Sequence, residues 1–177
     1  MILLQSKETE KKFKDTDKKF QDTDRKFQEY QKQMRKIETK FYSQWGRFVE
    51  SLVEVTVLKL LQDKGIRVER TLLREKAFYK NRQFEIDIIA KNGLEVVAVE
   101  VKTTLNPEDV KEFIEELKLF KGVFPEYADK KLYGAVAYIG KEGDADKFAE
   151  SKGLFVIKST NDSARITNKK TFVPKVW

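Results

Sequence analysis

The 177-residue sequence contains no cysteine and no histidine, and only three prolines. Without cysteine, the chain can form neither a disulfide framework nor a thiolate zinc site. Without histidine, histidine–metal chemistry and a Ser-His catalytic triad are excluded. Neither glycine nor proline occurs in residues 2–45, so nothing in that stretch interrupts a long helix.

Long apolar runs are also missing. The first four residues are apolar but too few for a signal peptide or a membrane span, so we expect a cytoplasmic protein with no membrane contact. The net charge is +7. A basic chain suits nucleic acid, but this excess by itself is only weak support for such a partner.

Residues 1–42 carry a seven-residue repeat, with large apolar side chains at Phe13, Phe20, Phe27, Met34 and Phe41. This period is typical of a coiled coil, with these side chains at position a and a second set at position d, namely Thr16, Thr23, Tyr30, Ile37 and Gln44. One helix cannot bury such a stripe alone, so the pattern predicts self-association. The number and direction of the helices stay open.

A basic DNA-binding arm is the competing interpretation of residues 1–42. The segment holds 12 Lys and Arg against 8 Asp and Glu, and the two signs interleave along it. Interleaved charges favour the solvated surface of a coiled coil. We therefore divide the chain into a coiled-coil helix over residues 1–42 and a globular domain over residues 43–177.

Two short β-forming segments flank the dipeptide Asn92-Gly93. That dipeptide tolerates the positive φ angles of a type I′ turn, so the sequence predicts a β-hairpin here. With a two-residue turn, Asp87 lies opposite Ala98 and one diagonal step from Glu100. The two carboxylates would then be close enough for one cation to bind both.

Strand alternation places Glu85 on the face of Asp87, with Ile86 and Ile88 on the other side, and puts Lys102 on the face of Glu100. A Glu-x-Lys sequence is most often a solvent-exposed ion pair. Here both faces of the hairpin are largely apolar, and burying unpaired charge costs several kcal/mol. We therefore favour a functional site, with Glu85 as an auxiliary ligand or a supporting group.

A third carboxylate is expected from a helix predicted over residues 45–61, where Glu50 and Glu54 lie one turn apart on one face. A helical glutamate is usually solvated. Glu50, however, follows Phe48-Val49 and precedes Ser51-Leu52-Val53, so its surroundings are more apolar than those of a typical exposed position. The sequence leaves open which of the two faces the hairpin carboxylates.

Two carboxylates beside a lysine fit a metal-dependent phosphodiesterase. Mg²⁺ prefers hard oxygen ligands and retains water, so carboxylates and a phosphate oxygen suit it. The metal lowers the pKa of its bound water and stabilises charge on the phosphoryl group. Next to two carboxylates, Lys102 should stay protonated and act electrostatically.

The order Gly46-x-x-x-Glu50 on a helix, Ile86-Asp87 on a strand and Glu100-Val101-Lys102 on the next resembles the PD-(D/E)XK nuclease superfamily. It is especially similar to the archaeal Holliday-junction resolvases and to prokaryotic proteins that carry a coiled coil ahead of this domain. The resemblance covers residues 43–177. Ile86 replaces the motif's proline, at a position that varies widely.

The resemblance implies a Mg²⁺-dependent deoxyribonuclease, with Mn²⁺ as a substitute metal. Glu50, Asp87 and Glu100 would bind the metal, and Lys102 would be the catalytic lysine. The fold would be an α/β, restriction-endonuclease-like mixed sheet flanked by helices. Two other functions stay open: a catalytically silent nuclease-fold protein that binds DNA, and a coiled-coil scaffold capped by the globular domain.

The remaining patterns predict supporting elements. Asn106 and Pro107 start a helix, as N-cap and first helical residue. Phe172 and Trp177 are expected to pack on the core rather than to contact nucleic acid. Strands are expected at residues 66–73, 132–139 and 154–157, and a short helix at residues 145–152.

Overall fold

A computed structural model describes residues 2–160 and 163–177. The chain divides into two compact units, with the boundary between Gln44 and Trp45. The described part of the first unit is helical and belongs to α1 (Ile2–Gln62). Phe13, Phe20 and Phe27 are 73%, 71% and 58% exposed in the single chain. The side chain of Phe41, assigned to the same stripe, lies outside the described residues. Self-association and the coiled coil stay predictions.

In the second unit, the described residues form one sheet of six strands in chain order. The strands are β1 (Arg70–Tyr79), β2 (Arg82–Lys91), β3 (Glu95–Leu105), β4 (Lys131–Lys141), β5 (Phe155–Ser159) and β6 (Ala164–Ile166). β3, β4 and β5 run parallel, while the pairs β1–β2, β2–β3 and β5–β6 are antiparallel. The predicted mixed α/β fold is confirmed.

Two helices connect the parallel strands, α2 (Pro107–Val123) and α3 (Ala145–Ser151), and a 3₁₀ turn (Pro125–Tyr127) follows α2. The start of α2 is confirmed at Asn106. Its side chain accepts a hydrogen bond from the Asp109 amide, and the Asp109 carboxylate accepts one from the Asn106 amide, each at 2.9 Å. This reciprocal capping fixes the first turn of α2 and the position of Asp109.

Both faces of the sheet are covered by apolar side chains. On one face α1 contributes Val49, Val53, Val57 and Leu61, which repeat every four residues and are fully buried. On the other face α2 contributes a stripe at helical spacing, with Val110, Phe113, Leu117 and Phe120. Strands buried on both faces are expected to be apolar throughout, so a charged side chain within them needs a specific reason.

The sequence located some boundaries poorly. β1 begins at Arg70 and continues to Tyr79, whereas a strand was predicted over residues 66–73. β6 was not predicted. The tail is docked as expected, since the Phe172 ring lies 5.4 Å from that of Phe155 and the Trp177 amide donates to the Leu132 carbonyl at 2.9 Å. Among the described residues, no helix is both long and apolar enough to span a membrane.

Candidate active site

The β2–β3 hairpin has a longer turn than predicted. The Asn92 side chain accepts hydrogen bonds from the amides of Leu94 and Glu95, both at 2.7 Å, within a turn of four residues between the paired Lys91 and Val96. Ile89, rather than Asp87, therefore pairs with Ala98. A shift of two residues preserves the faces of the strand. The ladder ends at Ile88 and Val99, so Asp87 and Glu100 are the next residues of the two strands beyond the last pair.

The β1–β2 ladder is distorted beside Asp87. It pairs residues on either side of Arg74 and Asp87 but skips these two, and Arg74 has a φ of 52°. Ile86 and Ile88 pack into opposite cores, so the strict alternation predicted for β2 is wrong here. Positive φ is uncommon for a residue with a Cβ and often marks a functional position.

The Asp87 carboxylate bonds to the backbone of β3 just beyond the last residue pair of the β2–β3 ladder. Its Oδ2 accepts a hydrogen bond from the backbone amide of Val101 at 2.8 Å. Burial and the charge of Glu100 raise the pKa of Asp87 to about 7, against the opposing effect of the Val101 amide. The negative charge of Asp87 is therefore unfavourable in the metal-free protein.

Glu100 and Lys102 lie next to each other on β3 with 2.9 Å between Oε1 and Nζ, and Nζ is 3.7 Å from Oδ1 of Asp109. Burial raises the pKa of Glu100 even though Lys102 opposes the shift. For Lys102, burial lowers the pKa, but the charges of Glu100 and Asp109 outweigh it and the net shift is upward. The ammonium thus stays protonated.

Arg74 engages the glutamate predicted as the helical ligand. Its Nε and Nη2 both donate to Oε2 of Glu50, at 2.7 and 2.6 Å. The charge of Glu50 also raises the pKa of Asp87, which places Glu50 within electrostatic reach of the hairpin carboxylates. Glu54 instead accepts a hydrogen bond from the Thr71 hydroxyl at 3.1 Å. Of the two candidates, Glu50 is the one directed to the site.

Three further charged residues surround this site and were not predicted from the sequence: Arg74, Asp109 and Glu116. Burial raises the pKa of Glu116, opposed by the charge of Lys102, so this α2 side chain also faces the site. Asp109 and Glu116 are seven residues apart, a spacing that puts both on one face of α2 and was available in the sequence. Glu85, predicted as auxiliary, forms a partly exposed ion pair with Lys76 at 3.2 Å.

The donor set suits a divalent cation at Asp87 and Glu100. These are hard oxygen ligands, both partly buried, and each has a pKa raised mainly by burial, to which neighbouring negative charge adds. Over the described part of the chain, no group of three or more acidic side chains is arranged as a ready metal cluster. This agrees with the geometry of Glu50, whose carboxylate is turned to Arg74.

The chain belongs to the family described as "Domain of unknown function (DUF8196)", which matches residues 53–166. The matched region includes Asp87, Glu100 and Lys102 but begins after Glu50. No curated protein matches the chain significantly.

Three solved structures are similar to the globular part at low identity. They are a "Protein of Unknown Function AF1548" (17% identity, TM-score 0.39), a repair endonuclease from Pyrococcus abyssi (17%, 0.42) and an EndoMS–dsDNA2 complex (19%, 0.38). They cover 57%, 60% and 59% of this chain, and the chain spans 53%, 46% and 42% of theirs. At such TM-scores the functional proposal depends on the site residues alone.

Proposed function

We propose that this protein is a metal-dependent nuclease of the PD-(D/E)XK type that hydrolyses DNA phosphodiester bonds. The observation that carries the proposal is the arrangement of Asp87, Glu100 and Lys102 where β2 and β3 separate. Two partly buried carboxylates with raised pKa values and a protonated lysine lie together between the two apolar cores of the sheet. Such a combination is unfavourable for stability and is typical of functional sites.

Asp87 and Glu100 would hold Mg²⁺ or Mn²⁺, with Glu50 as a further ligand. When bound, the metal would activate water and offset phosphate charge. Lys102 would add a fixed positive charge at the oxygen on which negative charge develops. Asp109, fixed by the α2 cap, would keep the ammonium oriented.

Assembly through the N-terminal helix is part of the same proposal. The exposed stripe of Phe13, Phe20 and Phe27 recurs every seven residues on α1, and a second copy of the chain carries the same stripe. Pairing the stripes would remove three large aromatic side chains from water. The nuclease would then act as an oligomer, in which more than one site is available to a single DNA molecule.

The test is a cleavage assay over duplex, branched and single-stranded DNA and RNA, with Mg²⁺, Mn²⁺ or EDTA. Asp87→Asn and Glu100→Gln remove the ligand charge with little change in shape and should each lower the rate about 100-fold or more. Glu115→Gln is the matched control, because Glu115 is exposed on α2 and pairs only with Lys118 among the described residues. It should cleave like wild type.

Each alternative function predicts a different result. Wild type that binds DNA but cleaves no substrate with either metal would be a silent nuclease-fold protein. Wild type that neither binds nor cleaves would support the scaffold function of the N-terminal helix. Calorimetric titration with Mn²⁺ separates the nuclease from the scaffold, since only an intact metal site gives binding that disappears in Asp87→Asn.

A further inference from the structure

The β1–β2 hairpin ends in an exposed aromatic side chain. Phe78 is 76% exposed, although it lies on a strand of a sheet that is apolar on both faces. Its cross-strand partner is Gln83, a polar residue that also faces solvent. The described part of the domain thus leaves the ring without an apolar partner across the strand.

The hairpin is anchored rather than loose. Ala77 and Tyr79, on either side of Phe78, pack against the core on the α2 side, together with Phe84, the cross-strand partner of Ala77. The Tyr79 hydroxyl lies 3.1 Å from the position that a Cβ on Gly122 would occupy, so this glycine permits the hairpin to approach α2 closely. The turn residues Lys80 and Asn81 have φ of 48° and 60°, as in a type I′ turn.

The charges around the tip are mostly positive. Lys80 and Arg82 are exposed on either side of Asn81, and Lys76 lies one strand step below Phe78 on the same face. Lys76 is paired with Glu85, whereas the described structure gives Lys80 only the ring of Tyr79, at 5.2 Å. An exposed ring framed by cations is suited to a nucleic-acid base and its phosphates.

The tip also lies near the candidate active site. Strand β2 leads directly from Gln83 to Asp87, four residues or about 13 Å at the usual rise of a strand. A nucleic-acid strand of only a few nucleotides spans that length. The charge of Arg82 acts on Glu116, which in turn faces Lys102. One strand of nucleic acid can therefore reach both places.

We propose that the β1–β2 hairpin is a nucleic-acid contact in which Phe78 stacks on an unpaired base, a few nucleotides from the bond at Asp87 and Glu100. The inference rests on the proposed nuclease function and adds a substrate class: DNA with unpaired bases near the cleaved bond. Stacking requires an exposed base face, which a closed duplex does not offer. Arg82 and Lys80 would contact the flanking phosphates.

The experiment measures binding of fluorescein-labelled oligo-dT and of a matched closed duplex in EDTA, by anisotropy. Wild type should prefer the single strand. Phe78→Ala should weaken single-strand binding about tenfold or more, with little effect on the duplex, and Phe78→Trp should restore it. Leu94→Ala is the matched control, since Leu94 is 78% exposed at the other hairpin turn and should leave binding unchanged.

Single-strand binding by Phe78→Ala equal to wild type would overturn the inference, and Mg²⁺-dependent cleavage by the same variant would then show that the nuclease proposal still holds. A fall in oligomer mass for Phe78→Ala without a loss of binding would assign the ring to self-association and also overturn it. Wild type that neither binds nor cleaves any nucleic acid would remove both proposals together.

Discussion

Arg74 donates two hydrogen bonds to a single oxygen of Glu50, at 2.7 and 2.6 Å, from a backbone φ of 52°. The pair links β1 to α1 directly beside Asp87. A guanidinium in this position supplies the glutamate with a positive charge in the metal-free protein. Alanine and glycine at position 74 remove the paired charge equally but differ in how well they tolerate a positive φ. Comparing the two variants therefore separates the contribution of the charge from that of backbone strain.

Arg74→Ala should destabilise the fold more than Arg74→Gly. Both variants remove a charge-assisted pair worth about 1–3 kcal/mol, and both leave Glu50, 16% exposed, without its cation. Glycine alone recovers about 1 kcal/mol, because positive φ costs it nothing while an alanine Cβ is strained there. Urea denaturation of the two variants in EDTA measures the difference. Equal stability would show that the backbone at Arg74 is not strained.

Metal-free protein should lose stability as pH rises from about 4 to about 7. The pKa of Asp87 is about 7 in the fold against 3.8 normally, so the folded state binds more protons than the unfolded state between these values. The free energy of unfolding therefore falls with rising pH, by at most about 4 kcal/mol at about 1.4 kcal/mol per pKa unit. The raised pKa of Glu100 acts in the same direction.

Asp87→Asn tests whether Asp87 causes this pH dependence of stability, because the substitution removes the titrating group but keeps the shape of the side chain. Its unfolding free energy should change less between pH 4.5 and 8 than that of wild type, as measured by urea denaturation in EDTA. Asp129→Asn is the control, since Asp129 is 82% exposed and should keep the wild-type slope. Parallel slopes for wild type and Asp87→Asn would assign the pH dependence to other groups.

Much of the candidate site was predictable because it depends on local pattern. Asp87, Glu100 and Lys102 stand out as charges within apolar strands, and a register error of two residues leaves their faces unchanged. The register itself was not predictable from the turn dipeptide, since the Asn92 side chain stabilises a longer turn through its own hydrogen bonds. Hairpin rules treat Asn-Gly only as a two-residue turn.

Arg74 could not have been identified in this way. Residues with a Cβ rarely take positive φ, so nothing in the sequence around Arg74 indicates a distorted strand or a contact with Glu50, 24 residues away. The exposed Phe78 was missed for a related reason. The boundary of β1 was placed too early, and the turn at Lys80 and Asn81 lacks the glycine that usually marks a type I′ turn.

Phe20→Glu should lower the oligomeric mass of the full-length protein. The side chain is 71% exposed in the single chain, so the substitution leaves the helix intact but places charge in the predicted seam. Gln28→Glu adds the same charge at a position of the repeat outside the predicted seam and should keep the wild-type mass. Light scattering at micromolar concentration gives both masses. A monomeric wild type would show that the stripe does not mediate self-association.

Lys102→Met should lower the cleavage rate about 100-fold while DNA affinity changes only a few-fold. The variant keeps most of the length and apolar volume of the side chain but removes the positive charge assigned to the transition state. Contacts to the nucleic-acid backbone elsewhere should sustain binding, which should still weaken as salt is raised.

A second effect follows from the loss of the Lys102–Glu100 pair. Lys102 opposes the burial that raises the pKa of Glu100, so that pKa should rise further in Lys102→Met and Mn²⁺ affinity should fall more at pH 6 than at pH 8. Lys118→Met is the control, because Lys118 pairs with Glu115 on the exposed side of α2 and should alter neither rate nor metal affinity. Calorimetry at both pH values and single-turnover cleavage separate the two effects. Unchanged cleavage by Lys102→Met would remove the lysine from the mechanism, whereas equal losses of rate and DNA affinity would make it a substrate-binding residue.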